Sequence, residues 1–145
     1  MKLKDFIVCD DIRFELGNKF SLIGTYFSRI LVGPRGDEVR LPLMLKLGVL
    51  IRLVSDDEDV LPQEFRLRYN LNGKEAALVT GILEREVKDS QDLILPIVIH
   101  LPIAEFGKLS FDLEFSRNGE ATLALKHFHS LDVILVSGKQ AELNL

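Results

Sequence analysis

Hydrophobic and polar positions alternate with a period of two along much of this chain. Between residues 41 and 54 every odd position is large and apolar: Leu41, Leu43, Leu45, Leu47, Val49, Ile51 and Leu53. The even positions are mixed, with Pro42, Met44, Lys46, Gly48, Leu50, Arg52 and Val54. A period of two puts alternate side chains on opposite faces of a strand, so one face of this segment belongs to a core. A helix over the same residues would hold Gly48 in its middle and would lack a polar stripe. Residues 93–103 repeat the odd-face ladder, while their even face holds Pro96, His100 and Pro102. Strand residues an even number apart aim their backbone donors to one side, so both prolines remove N–H groups from a common side. The pattern predicts an edge strand at 93–103 and an interior strand at 41–54. A straight strand over 41–54 would reach about 43 Å. Gly48 therefore predicts a twist or a change of sheet near its middle.

Two further segments alternate more cleanly. Phe65, Leu67, Tyr69 and Leu71 are interleaved with Glu64, Arg66, Arg68 and Asn70. Leu109, Phe111, Leu113 and Phe115 are interleaved with Lys108, Ser110, Asp112 and Glu114. Each ends near an Asn-Gly pair, Asn72-Gly73 and Asn118-Gly119. Asn-Gly accepts positive φ at both central positions of a tight turn, which predicts hairpins at 64–86 and 108–128. A third hairpin is predicted around Gly17-Asn18, between residues 6–16 and 20–27. Turn residues cluster at 33–37, and 55–62 reads as an acidic loop. Residues 84–91 are polar, a loop or a short helical turn. No 3.6-residue stripe is sustained beyond about two turns. About eight strands, short turns and little helix predict an all-β fold. It is read as an antiparallel β-sandwich, immunoglobulin-like or C2-like, in one domain over residues 1–145.

Composition narrows the function classes. The chain has 145 residues, 47% of them hydrophobic and 28% charged, which is globular rather than disordered. A formal charge of −4 gives no basic footprint for nucleic acid. The 41–54 run is too short to span a bilayer and carries Lys46 and Arg52, so no membrane span is expected. The single cysteine, Cys9, excludes an internal disulfide and fits a cytoplasmic protein.

Several residues carry candidate chemistry. His127 and His129, read as one strand face, would lie roughly 7 Å apart and could hold zinc with a third ligand. The alternative is a polar outer face around a buried Phe128. Asp56, Asp57, Glu58 and Asp59 could bind calcium, completed by Asp10 and Asp11 or by Asp37 and Glu38. The run lacks the spaced acidic pattern of a dedicated calcium loop, so a solvated loop tip is the simpler reading. Cys9 follows an apolar strand and sits beside two carboxylates that would raise its pKa, which favours a buried structural thiol over a nucleophile. Lys46, Arg52, Arg66 and Arg68 would form a basic partner surface if their strands are neighbours. Glu64, Asp112 and Glu114 would offset them as cross-strand pairs. No phosphate loop, dinucleotide fingerprint or nucleophile elbow occurs.

The segment Val8-Cys9-Asp10-Asp11-Ile12-Arg13, continued by Gly17-Asn18-Lys19-Phe20-Ser21-Leu22-Ile23-Gly24, resembles the opening of an uncharacterised family of small bacterial proteins. That opening reads CD-x-x-R followed by GK-x-SLIG, and here Asn18 separates Gly17 from Lys19. The resemblance implies a bacterial source and a β-sandwich. It carries no activity and no site residues. In the hairpin reading, Leu22, Ile23 and Gly24 enter the core. Asp10 and Asp11, acids inside an apolar strand, are then the first candidates for a functional position. The leading expectation is a non-enzymatic module that binds a protein partner and needs no cofactor. A calcium-dependent lipid- or ligand-binding module is the alternative, and a hydrolase is third.

Overall fold

Nine strands make up the fold in a computed structural model that describes residues 1–17, 19–33, 40–56, 60–84 and 92–136. They are β1 (Lys2–Glu15), β2 (Lys19–Tyr26), β3 (Arg29–Val32), β4 (Leu43–Val54), β5 (Glu64–Leu71), β6 (Lys74–Ile82), β7 (Asp92–Ile103), β8 (Gly107–Arg117) and β9 (Glu120–Leu135). Two sheets pack face to face, one in the order β2-β1-β4-β7 and the other in the order β3-β9-β8-β5-β6. The molecule is thus a β-sandwich. All pairings are antiparallel except β3 with β9, which is parallel. No helix among the described residues is long and apolar enough to cross a membrane.

The period-two ladders become the two inner faces. Leu47, Val49, Ile51 and Leu53 from β4 meet Leu67 and Tyr69 from β5, Leu109, Phe111, Leu113 and Phe115 from β8, and Leu131 and Val133 from β9. Phe6 of β1 bridges the sheets, its ring edge-on to Phe111 at 5.1 Å and to Phe128 at 4.7 Å. Both Asn-Gly pairs form the expected two-residue turns, with φ of 50° and 81° at Asn72-Gly73 and 51° and 79° at Asn118-Gly119. The hairpins run over 64–82 and 107–135, and the second is longer than its sequence pattern suggested.

β4 lies inside its sheet and β7 at the edge, as the prolines imply. The β4–β7 ladder runs unbroken from Leu43↔Ile103 to Val54↔Asp92. The missing N–H groups of Pro96 and Pro102 therefore lie on the open side. Of the two outcomes expected at Gly48, the change of sheet does not occur. β4 neither bends out of register nor changes sheets there. It is β1 that departs, because its pairing with β4 stops at Cys9↔Gly48 while its pairing with β2 continues to Glu15↔Lys19. A Cβ on Gly48 would stand 2.9 Å from both Cys9 Sγ and Ile12. Glycine is required because the β1–β2 hairpin crosses the outer side of β4 at that point. Leu22 and Ile23 are half-buried in that hairpin and do not join the core cluster.

Candidate functional site

The four cations read as a partner surface are divided between the sheets. Lys46 and Arg52 lie on β4, Arg66 and Arg68 on β5, and the two strands belong to different sheets. Each described ion pair is local. Lys46 Nζ is 3.0 Å from Asp11, and Arg52 Nε is 3.0 Å from Asp5 and 3.9 Å from Asp92. Arg68 pairs with Glu75 at 2.7 Å and with Asp112 at 3.8 Å. The ladder sets Arg66 opposite Glu114 and Arg68 opposite Asp112, the cross-strand compensation expected for a charge-balanced face.

The acids are also dispersed. Asp56 follows Val54, which pairs with Lys2, whereas Asp10 follows Cys9, which pairs with Gly48. Six strand steps of β4, roughly 20 Å, separate the two ends. Asp37, Glu38, Asp57, Glu58 and Asp59 lie outside the described residues. Among the described residues no three His, Cys, Asp or Glu side chains come together as a metal-binding group. Asp10 and Asp11 instead seat the hairpin. The Tyr26 hydroxyl donates to Asp10, whose carboxylate fills the space where Gly24 (φ 64°) has no side chain. Burial and this carboxylate push the Tyr26 phenol well above its ordinary value. Asp11 accepts the Ile12 N–H at 2.9 Å, and the Lys46 ammonium holds its carboxyl below the usual range. Cys9 is fully buried and its thiol faces the carbonyls of Asp11 and Gly48. Burial, then Asp10, raise its pKa, as expected of a structural thiol.

His127 and His129 do not share a face. β9 takes four steps from Leu125 to His129 while β8 takes two from Leu113 to Phe111, so a bulge interrupts the ladder. His127 sits in it at φ 49°, a conformation that is rare for a non-glycine residue within a strand. His129 stands opposite Phe111 on the inner side, its ring against Phe6 at 5.1 Å and Phe111 at 5.9 Å. Its Nε2 is buried without a hydrogen-bond partner, and desolvation lowers its pKa. His127 points outward and is largely exposed. Two added residues keep the odd-even parity, so nothing in the alternation betrays the bulge. The apolar Phe128, out of phase between the histidines, was the one available hint.

A polar scaffold holds the bulge in place. The His127 N–H donates to Asp112 Oδ1 at 2.8 Å, the Asn70 amide donates to Asp112 Oδ2 at 3.2 Å, and Arg68 stands alongside. Burial alone would raise the Asp112 pKa, but these partners outweigh it and hold the carboxyl below its ordinary value. Ser110 Oγ is 3.3 Å from His127 Nδ1, and Asp112 Oδ1 is 3.7 Å from the same nitrogen. A serine–histidine–aspartate relay uses both ring nitrogens, one for the acid and one for the hydroxyl. Here both partners crowd Nδ1, so the arrangement lacks the wiring of a hydrolase.

The outer faces of the two sheets differ in kind. That of the five-stranded sheet is shallowly dished and polar along β5 and β8, with Leu78 (44% exposed) and Ile82 (78%) on its β6 edge. One depression is lined by Arg66, Arg68, Asp112 and Lys126, and another by Asn72, Lys108, Ser110, His127 and Ser130. That of the four-stranded sheet carries an apolar band. The ladder aligns Ile7 with Leu50 and Pro96, and beside them lie Ile94 (43% exposed) and Val98 (39%), with Met44 (62%) farther along. The tip of the β1–β2 hairpin adds Phe14 (69%) and Leu16 (96%), with Phe20 edge-on to Phe14 at 5.2 Å. Nothing in the sequence around Phe14 and Phe20 marked these aromatics as exposed. The chain matches no protein-family model and no curated protein.

Proposed function

We propose that this protein is a non-enzymatic β-sandwich module that binds a protein partner through the outer face of its four-stranded sheet. The supporting observation is the apolar band of Ile7, Leu50, Ile94, Pro96 and Val98, which alternation would have made polar on a solvated face. Contiguous exposed apolar surface of this kind marks interaction sites. The cations on the band, Lys46 and Arg52, are already paired with Asp11, Asp5 and Asp92. They tune which partner fits rather than form a basic magnet. The exposed aromatics of the hairpin tip, Phe14 and Phe20, add apolar surface of the kind that anchors interfaces. A bacterial, cytoplasmic setting completes the proposal, on the strength of the opening motif and the lone, structural cysteine.

The test is capture from a bacterial lysate by the immobilised chain and by its Val98→Glu variant. Val98 projects outward from an edge strand, so the variant should melt within a few degrees of the parent. A specific partner retained at least tenfold better by the parent is the expected result. Equal retention by both chains overturns the assignment of this face.

A further inference from the structure

The β9 bulge is a local strain. It is one of two register shifts between β8 and β9, the other falling at Phe115/Ser116, and it holds His127, a non-glycine residue within a strand, at a positive φ that is rarely adopted. Asp112, Asn70 and Arg68 are all committed to holding it. What the bulge achieves is to thrust the His127 imidazole over Ser110 at the rim of an outward-facing depression. Ser130 stands directly opposite Ser110 in the ladder, and the Lys108 side chain lies on the same wall. The Asn72-Gly73 turn closes the far side. It is pinned there because Asn72 Oδ1 accepts the Lys108 N–H at 2.9 Å while its amide donates to the Phe106 carbonyl at 3.1 Å.

From this arrangement we infer an oxyanion-binding site of the phosphate-monoester class, formed by Lys108, Ser110, His127 and Ser130. One ammonium, two hydroxyls and an imidazole belong to residues that line one depression, a donor set that suits the several oxygens of a tetrahedral anion better than the two of a planar carboxylate. One negative charge beside the site is Asp112, whose two oxygens accept from the His127 N–H and the Asn70 amide, with Arg68 beside them. Asp132 stands opposite Lys108 in the ladder but makes no ion pair with it among the described residues. The site lies on the five-stranded sheet and is independent of the protein-binding face.

The chain carries its own controls, because its three histidines occupy three environments. His127 is in the depression, His129 is on the inner side of the same strand, and His100 is on the outer face of the other sheet. Inorganic phosphate is titrated at about pH 7.5, where a phosphate monoester is mostly dianionic, with ionic strength held by sodium chloride and the imidazole proton resonances followed. The His127 resonances should shift and saturate in the millimolar range while those of His129 and His100 stay in place. Lys108→Gln should weaken the response at least fivefold, and Ser130→Ala should weaken it without altering the fold. O-phosphoserine should reproduce the shift and acetate should not. Three outcomes overturn the inference: no saturating shift at His127, an equal shift at His100, or an unchanged titration in Lys108→Gln.

Discussion

The two outer faces of the sandwich are built on the same alternation, yet they are chemically unlike. On the five-stranded sheet the outward positions of β5 and β8 are Glu64, Arg66 and Arg68 against Glu114 and Asp112, a ladder of opposed charges. On the four-stranded sheet the outward positions at the same depth are Ile7, Leu50, Pro96 and Val98. The inner faces do not differ in this way, since both contribute branched aliphatic and aromatic residues to one core. Burial therefore dictates the inward set, and the outward set is free to record what each face meets. On the proposed reading the charged face meets water and, at the β9 bulge, a small anion, and the apolar face meets a partner.

If the faces are independent surfaces on a shared core, a core lesion should weaken the whole and favour neither. Phe111 is fully buried and touches Phe6 of one sheet and Tyr69 and His129 of the other. Phe111→Ala should cost about 3–5 kcal/mol in denaturant unfolding, the largest effect expected here. Where the variant still folds, it should keep both the Val98-dependent capture and the His127 response to phosphate. Selective loss of one would show that the two faces are not separable.

A more selective lesion targets one face. Gly48→Ala would place a methyl group 2.9 Å from Cys9 Sγ and Ile12, at the crossing of the hairpin over β4. Ile12 is nearly buried and cannot swing away without unseating the hairpin, so we expect a loss of about 1–3 kcal/mol. Partner capture should fall with it, because the hairpin aromatics are displaced, while the phosphate response on the opposite sheet stays as it was. Full capture by a destabilised Gly48→Ala chain would remove the hairpin from the binding face.

Much of this contrast was legible in the sequence. The mixed even positions of 41–54, the prolines of 93–103 and the charged even positions of 64–70 and 108–114 are the two outer faces written in order. The turns were legible because Asn-Gly has few other uses in a strand-rich chain. Four features were not. The bulge at His127 preserves parity, so a period-two reading passes over it. The departure of β1 at Gly48 depends on which strand crosses which, and that is settled by packing between segments far apart in sequence. The cations Lys46, Arg52, Arg66 and Arg68 look alike in sequence, and only the sheet order assigns them to opposite sides. Ser110, Lys108 and Ser130 gave no signal at all, since a polar residue on an outward position is the default.

The smallest expected effect concerns the two sides of the bulge itself. His127 is open to water, and His129 is packed between Phe6 and Phe111 with Nε2 unpartnered. Desolvation lowers the His129 pKa in the folded chain below its ordinary value of 6.5. The unfolded chain therefore binds more protons between that lowered value and 6.5, and stability rises with pH across this window. Read downwards, stability begins to fall as pH drops below about 6.5 and levels off once the folded-state pKa has been passed. His129→Phe removes the group, and it should flatten this slope in urea unfolding curves taken from about pH 7.5 to 5. A slope that persists in His129→Phe would mean that His129 is not the imidazole the bulge packs against Phe6 and Phe111.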